Sequence, residues 1–378
     1  MSSTLNSRER VILALSRKQP DRVPCAPDIS NMVPCRLTGK PFWNVLLDAE
    51  PPIWQAYLDA ARHFDIDAFF FHASPGDNPR ARYSTRRNVT RREDDRVVTE
   101  TVFTTPAGEF REEWTFPIGD SETCTRKAFQ TMHEALPHLQ YILSADMAGD
   151  FAPTRAMQSY INGEFAVGGY CNTPMLPYHW LVGQLEEAVV EYYDEVEIMH
   201  QYRELFHNYN VRKTEMFLDF GVDFLLIESS GSLTMQSLDI VRDMQLPTLK
   251  AITAMCRQAG VPSMFHSCGR SRPLLPMLAD ETELDGVQPL ECPPTGDIDL
   301  LEVKRTYGQR LCLMGNLNTP ELVLRGTADD VYNESVRLLN GCKQGGAFIL
   351  STGDQCGRDT PDENIRAMRR ACLDHGGY

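Results

Sequence analysis

Short apolar runs that end in a polar residue recur along this chain, separated by longer stretches with helical spacing of apolar positions. The clearest runs are Glu164–Tyr170, Asp223–Glu228, Val261–His266, Asp285–Glu291, Leu311–Asn316 and Gly346–Ser351. Each is too short for a buried helix and is bounded by Gly, Pro or charged residues, so each reads as a buried strand. Two earlier segments, near residues 23–28 and 67–72, complete a set of eight. Pro24 and Pro27 would be costly in a central strand, so the first is expected to be irregular or terminal. Eight short strands alternating with helices predict an α/β fold, a (β/α)8 TIM barrel occupying residues 1–378 as one domain. An open doubly wound sheet is the fallback, but no Gly-x-Gly-x-x-Gly follows the first strand.

The helices are marked less sharply. Asn6 or Ser7 caps an opening helix whose apolar run is Val11–Leu15. Another is expected near 52–64, and the span from about 181 to 219 is long enough for two. Residues 84–117 break the rhythm. Val97–Thr104 and Glu109–Phe116 alternate polar and apolar positions about Thr105-Pro106-Ala107-Gly108, which predicts an antiparallel β-hairpin inserted in the N-terminal third. The neighbouring Arg86-Arg87 and Arg91-Arg92 read as a solvated face, and the hairpin is a plausible contact of a homodimer.

Composition narrows the function classes. The chain has 378 residues, 42% hydrophobic and 24% charged, with a net charge of -15. That balance argues against a nucleic-acid partner, which needs clustered Lys and Arg. No apolar run reaches the roughly eighteen residues of a membrane span, and Met1–Arg10 lacks the apolar core of a secretory signal. Eleven cysteines, without framework spacing, fit reduced thiols in a cytoplasmic protein.

In such barrels chemistry gathers at the carboxyl ends of the strands. Read in order, those ends are Asp28, His72, Tyr170-Cys171-Asn172, Glu228, His266-Ser267-Cys268, Glu291-Cys292, Asn316 and the loop Thr352–Cys356. His266 and Cys268 put an imidazole and a thiol two residues apart, a spacing suited to one zinc ion. Cys356, in the Gly-rich loop after the last strand, faces the same central pocket of a closed barrel. Three protein ligands with one open position is the arrangement of a catalytic zinc. Asp28 and His72 are pocket candidates. Tyr170, Tyr178, His179 and Trp180 could line an aromatic-walled pocket. The other nine cysteines read as core thiols, and Asp354 reads as a turn former.

Residues 205–378 resemble the uroporphyrinogen decarboxylase superfamily, and within it the zinc-dependent, corrinoid-linked branch of methylcobalamin:coenzyme M methyltransferase-like proteins. The resemblance rests on an ordered set: Phe265-His266-Ser267-Cys268-Gly269, Pro289-Leu290-Glu291, Met314-Gly315-Asn316-Leu317-Asn318 and Asp359-Thr360-Pro361-Asp362-Glu363-Asn364. It extends to the N-terminal third only through Arg22-Val23-Pro24. It implies a (β/α)8 barrel and a zinc held by His266, Cys268 and Cys356, with Glu291 placed as a fourth ligand that gives way to substrate. At the strand ends themselves, Glu228 reads either as a carboxylate that orients His266 or as a solvated strand end, and Asn316 either as a residue that reaches across the pocket or as a turn cap. True decarboxylases carry an Arg-Gln-Ala-Gly-Arg stretch near the first strand. Here Pro27–Arg36 holds a single Arg, so a polyanionic tetrapyrrole would meet little compensating charge.

The resemblance further implies methyl transfer with a corrinoid (cobalamin) on a separate protein, because this chain has no Asp-x-His-x-x-Gly. The expected activity is O-demethylation, moving a methyl group from an aromatic methoxy substrate to a cobalt(I) corrinoid. The alternatives are methylation of a thiol from a methylcorrinoid, and a non-catalytic barrel that binds a small molecule or docks a corrinoid protein.

Overall fold

A computed structural model describes residues 5–181 and 185–378. Its parallel strands are β1 (Phe69–Phe70), β6 (Ala166–Asn172), β7 (Phe224–Glu228), β8 (Ser263–His266), β9 (Gly286–Gln288), β10 (Cys312–Leu317) and β11 (Phe348–Thr352). Between β1 and β6 lie four antiparallel strands, β2 (Ser84–Arg92), β3 (Arg96–Thr105), β4 (Gly108–Pro117) and β5 (Thr123–Arg126). Among the described residues the parallel strands form one sheet in the order β1-β6-β7-β8-β9-β10-β11.

The first of the eight predicted strands is irregular, as its prolines led one to expect. Residues 23–28 make only an isolated parallel bridge, Cys25 to Leu350. Pro24 and Pro27 have no N–H to donate, which is why no ladder forms. The segment still fills the gap in the barrel. Leu350 N–H donates to Pro24 O (2.9 Å), Ala26 N–H to Leu350 O (2.9 Å) and Asp67 N–H to Cys25 O (2.8 Å). Asp67 supplies the other fastening. Its buried carboxylate accepts from Arg10 (2.6 Å), Arg22 (2.7 Å) and the Cys25 N–H (2.9 Å). It thereby ties the first helix, the irregular segment and β1 together.

Period-two alternation divides each strand between the barrel interior and the helical layer. Ala166, Phe224, Leu226, Met264, Cys312, Met314, Ala347 and Ile349 pack together inside, with Tyr170 against them. Val167, Leu225, Ile227, Phe265, Leu313, Phe348 and Leu350 belong to the cluster that meets the helices. Gly168 and Gly169 serve both layers. A Cβ on Gly168 would overlap the Phe224 ring, and one on Gly169 would lie 2.7 Å from Phe217 of the helix Val196–Phe220.

Several expected boundaries shift. The run 67–72 contributes only Phe69 and Phe70 to the sheet, and the run 285–291 only Gly286–Gln288, because Pro289 cannot extend the ladder. The opening helix begins as expected: Asn6 caps Ser7–Leu15, and its side chain and Glu9 exchange hydrogen bonds with each other's backbone (2.9 Å each). The second expected helix is Ile53–Phe64. The 181–219 span holds Leu185–Asp194 and Val196–Phe220, and residues 182–184 lie outside the described residues.

The predicted hairpin is present, with Val97 opposite Phe116 and Thr104 opposite Glu109. It is the middle of a larger sheet, ordered β2-β3-β4-β5. Arg86, Arg87, Arg91 and Arg92 lie on strand β2 and are exposed, the solvated face expected of them. The sheet packs through Phe103 and Phe110 on Phe129 and the helix Met132–Leu143, beside Tyr178 and Trp180. Its far end reaches the barrel rim, where Phe42 N–H donates to Ile118 O (2.9 Å) and Asn31 to Ser121 (2.9 Å).

Candidate metal centre and substrate cavity

The interior face of the strands delivers a row of polar side chains to one end of the barrel. Asn172 pairs with Glu228, Glu228 with His266, and His266 with Gln288 in the parallel register. Because these positions are in phase with Phe224, Leu226 and Met264, their side chains rise above the apolar interior. Glu228 Oε1 lies 3.9 Å from His266 Nε2 and accepts the Ser230 N–H at 3.0 Å.

Ser230, in the loop after β7, is the residue that joins the imidazole to the thiol. Its Oγ is 3.1 Å from His266 Nε2 and 3.3 Å from Cys268 Sγ. The turn carrying Cys268 depends on Gly269, whose φ is +76° and whose Cβ, if present, would run into Thr234 Oγ1. The Gly269 N–H donates to Glu291 Oε1. One hydrogen bond therefore brings the β9 loop onto the β8 loop. Cys268, Glu291 and Asp354 each offer a ligand atom, and those atoms lie within 4.8 Å of one another. Thiol, imidazole and carboxylate are all donors that zinc accepts, so the chemistry of this end of the barrel fits that metal.

Not all the sequence-predicted ligands converge equally. Cys356 is fully buried, and its N–H donates to Asp28 O at 2.7 Å. Burial, with Asp28 nearby, pushes its thiol well above the ordinary value. The cluster around Cys268 contains Asp354, two residues before Cys356 in the same loop, where a turn former was expected. Asp354 is fixed by two backbone contacts with Thr319 Oγ1, both 3.0 Å. Burial raises its carboxyl pKa, and Asp28 adds to the effect. Asn316 does not wall the cavity: it is 5% exposed and donates to Leu290 O at 2.9 Å, bracing the backbone next to Glu291.

A cavity of about 650 Å³ opens beside these groups. Asp28, His72, Tyr170, Glu228 and His266 line it, as the strand-end reading expected. Tyr57, Phe69, Phe70, Phe71 and Met314 supply an apolar and aromatic side. Glu122 comes from the inserted sheet, at the loop between β4 and β5. Tyr57, Glu122 and Ser230 were missed from sequence because none sits at a strand end with ligand-type spacing. No Lys or Arg is among the described residues that line the cavity.

Electrostatics follow from that lining. Burial disfavours a charged His266, but Glu228, Cys268 and Asp354 outweigh it and hold the imidazolium up to about 10. His72 lacks an acidic neighbour of that kind. Burial and the Lys213 ammonium lower it to about 4, so it is neutral at ordinary pH. Its ring lies 5.0 Å from that of Tyr170, and burial raises the Tyr170 phenol far above its usual range. Asp28 is also raised by burial, although Ser30 Oγ donates to it.

The sequence profile described as Uroporphyrinogen decarboxylase (URO-D) matches residues 133–375, more than half of the chain. The chain belongs to the uroporphyrinogen decarboxylase family. Within that family its likeness runs to methyltransferases. It is 25% identical over 176 residues to a methylated-thiol–coenzyme M methyltransferase of Methanosarcina mazei, a stretch covering 42% of this chain and 44% of that protein. The match thus spans less than half of the relative's length. A solved structure, a methyltransferase from Methanosarcina mazei, superposes with a TM-score of 0.67 over 98% of this chain and 99% of the other, at 16% identity. That agreement is one of fold. Among the described residues no helix is long and apolar enough to cross a membrane.

Proposed function

We propose that this chain is a zinc-dependent methyltransferase that works with a corrinoid on a separate protein and removes the methyl group of an aromatic methoxy compound. The observation that supports this best is a thiol–carboxylate cluster of Cys268, Glu291 and Asp354, with Ser230 joining His266 to its thiol, beside an aromatic-walled cavity at the barrel mouth. In this reading His266, Cys268 and Cys356 would hold the zinc, with Glu291 a further carboxylate beside it. Zinc, when bound, supplies Lewis acidity toward an ether or thiol oxygen or sulfur. The chain's own residues do the rest. Glu228 and Ser230 orient the His266 ring, Tyr57, Phe70 and Tyr170 hold an arene, and the open mouth admits the corrinoid protein. The eleven free thiols support a reducing, cytoplasmic setting.

Decarboxylation of a porphyrin is disfavoured by a cavity whose described lining offers no Lys or Arg to the substrate's carboxylates. A second reading, methyl transfer to a thiol acceptor, draws on the name of the Methanosarcina mazei relative. The two are separated by incubating the protein with a panel of methoxyarenes and a reduced corrinoid protein, then following the corrinoid's absorbance. Methylation of the corrinoid by a methoxyarene is the expected result. Methyl transfer only from methylcorrinoid to thiol would favour the second reading. Elemental analysis of folded protein should find zinc, and zinc-free wild-type protein with full activity would refute the metal assignment.

A further inference from the structure

We infer that Gln245, a fully buried residue at the junction of two helices, positions the Ser230 hydroxyl between His266 and Cys268 and so sets the affinity of that centre for zinc. The zinc part rests on the proposed metal site, but the positioning stands on the hydrogen bonds alone.

The loop after β7 carries three serines, and they divide between two roles. Ser230 faces the centre, its Oγ 3.1 Å from His266 Nε2 and 3.3 Å from Cys268 Sγ. Ser229 and Ser232 are 0% exposed and bond elsewhere. They meet Thr173, which follows β6, and Gln245, which joins the helices Leu238–Met244 and Leu246–Ala259. Ser229 Oγ lies 2.7 Å from Thr173 Oγ1 and 2.7 Å from Ser232 Oγ. Gln245 Oε1 is the acceptor common to all three, 2.5 Å from Ser229 Oγ, 3.0 Å from Ser232 Oγ and 3.2 Å from Thr173 Oγ1. The network uses the carbonyl end of the amide, since Gln245 Nε2 is buried with no hydrogen-bond partner among the described residues.

Ser229 carries this fastening to the centre. Its N–H donates to His266 O at 2.9 Å, and the neighbouring Ser230 N–H donates to Glu228 Oε1 at 3.0 Å. Thr173 adds a second strand, because its N–H donates to Glu228 O at 3.2 Å. Ser229 is thus held at its backbone by β8 and at its side chain by the helix junction, which fixes where the next residue places its hydroxyl. Without the Gln245 carbonyl the Ser229 proton can turn only to Thr173 or Ser232, and the loop loses this tie to the junction. Fully satisfied buried networks rigidify what they join. Groups that hold metal ligands from outside commonly change metal affinity by about 10- to 100-fold.

The test compares Gln245→Met, which keeps the length and removes the acceptor, with Ser230→Ala and with the double variant, all in the full-length protein. Zinc affinity of the folded protein is read by competition with a chromophoric chelator. Amide exchange over residues 229–235 is read by mass spectrometry on metal-free protein. Gln245→Met is expected to lose about tenfold in zinc affinity and to exchange those amides about tenfold faster. In the Ser230→Ala background the same change is expected to cost no more than about threefold, because its effect passes through that hydroxyl. A residue that only supports the fold would lower unfolding stability and leave zinc affinity and local exchange unchanged. That result, or fully additive losses in the double variant, would overturn the inference. Should Gln245→Met not fold, Thr173→Val trims the same network by one hydroxyl and is expected to weaken zinc binding about threefold; unchanged affinity there would equally overturn it. If wild-type protein binds no zinc while Gln245→Met still loosens residues 229–235, the positioning stands and the metal reading falls.

Discussion

Substituting Gly269 by alanine tests how tightly the candidate centre is built into the backbone. The residue has a φ of +76°, in the left-handed region where a Cβ is strained. That strain alone costs roughly 1–2 kcal/mol. The new methyl group would also overlap Thr234 Oγ1, which accepts the Arg270 N–H at 3.1 Å and so cannot move freely. Overpacking of this kind adds about 1–3 kcal/mol. The sum is a loss of about 2–5 kcal/mol, to be measured by urea denaturation. The same shift would pull the Gly269 N–H from Glu291 and displace Cys268, so zinc affinity, read by competition with a chromophoric chelator, should fall as well. The double variant Gly269→Ala, Thr234→Ala removes the overlap but leaves the strain in φ. It should be more stable than the sum of the two single losses by about 1–2 kcal/mol, the interaction expected of residues in contact. A Gly269→Ala protein within about 0.5 kcal/mol of wild type, with unchanged zinc affinity, would refute the geometry given to this turn.

Three further outcomes follow from other parts of the structure. Asp67→Asn should destabilise the fold by about 3 kcal/mol, because it removes the buried carboxylate that accepts from Arg10, Arg22 and Cys25; a change below about 1 kcal/mol in denaturant unfolding would mean that Asp67 does not fasten the barrel. His72 has a folded pKa of about 4, below its unfolded value of about 6.5. The unfolded chain therefore takes up that proton first as pH falls, so this residue's contribution is complete above about 6.5 and declines toward 4. Nuclear magnetic resonance of the ring should show a midpoint near 4, and a midpoint at 6.5 would contradict it. Ser230→Ala removes the hydroxyl between His266 and Cys268 and should weaken zinc binding about tenfold or more, as loss of an outer hydrogen-bond partner does. Unchanged affinity in a chelator competition would remove Ser230 from the site.

The barrel was legible because its strands are short, apolar and interrupted by Gly and Pro, and because each ends in a side chain that cannot be left inside. Phe265 and His266 differ by one position, and the pleat alone sends one to the helices and the other to the barrel mouth. The chain's own sequence thus determined the alternation, the hairpin about Pro106-Ala107, the cap at Asn6, and the ring of polar strand ends that includes Glu228, His266, Tyr170 and His72. Tertiary structure decided what local pattern does not encode. Residues 23–28 have too few N–H groups for a ladder, and contacts from distant segments, among them the carboxylate of Asp67, the backbone of Leu350 and the Cys356 N–H, place them in the barrel. Asp354 reads locally as a turn, yet the Thr319 contacts turn its carboxyl toward Cys268 and Glu291. Ser230 and Glu122 have no distinctive sequence spacing. Their positions depend on where the β7 loop and the inserted sheet meet the rim, distances set by packing between segments far apart in the chain.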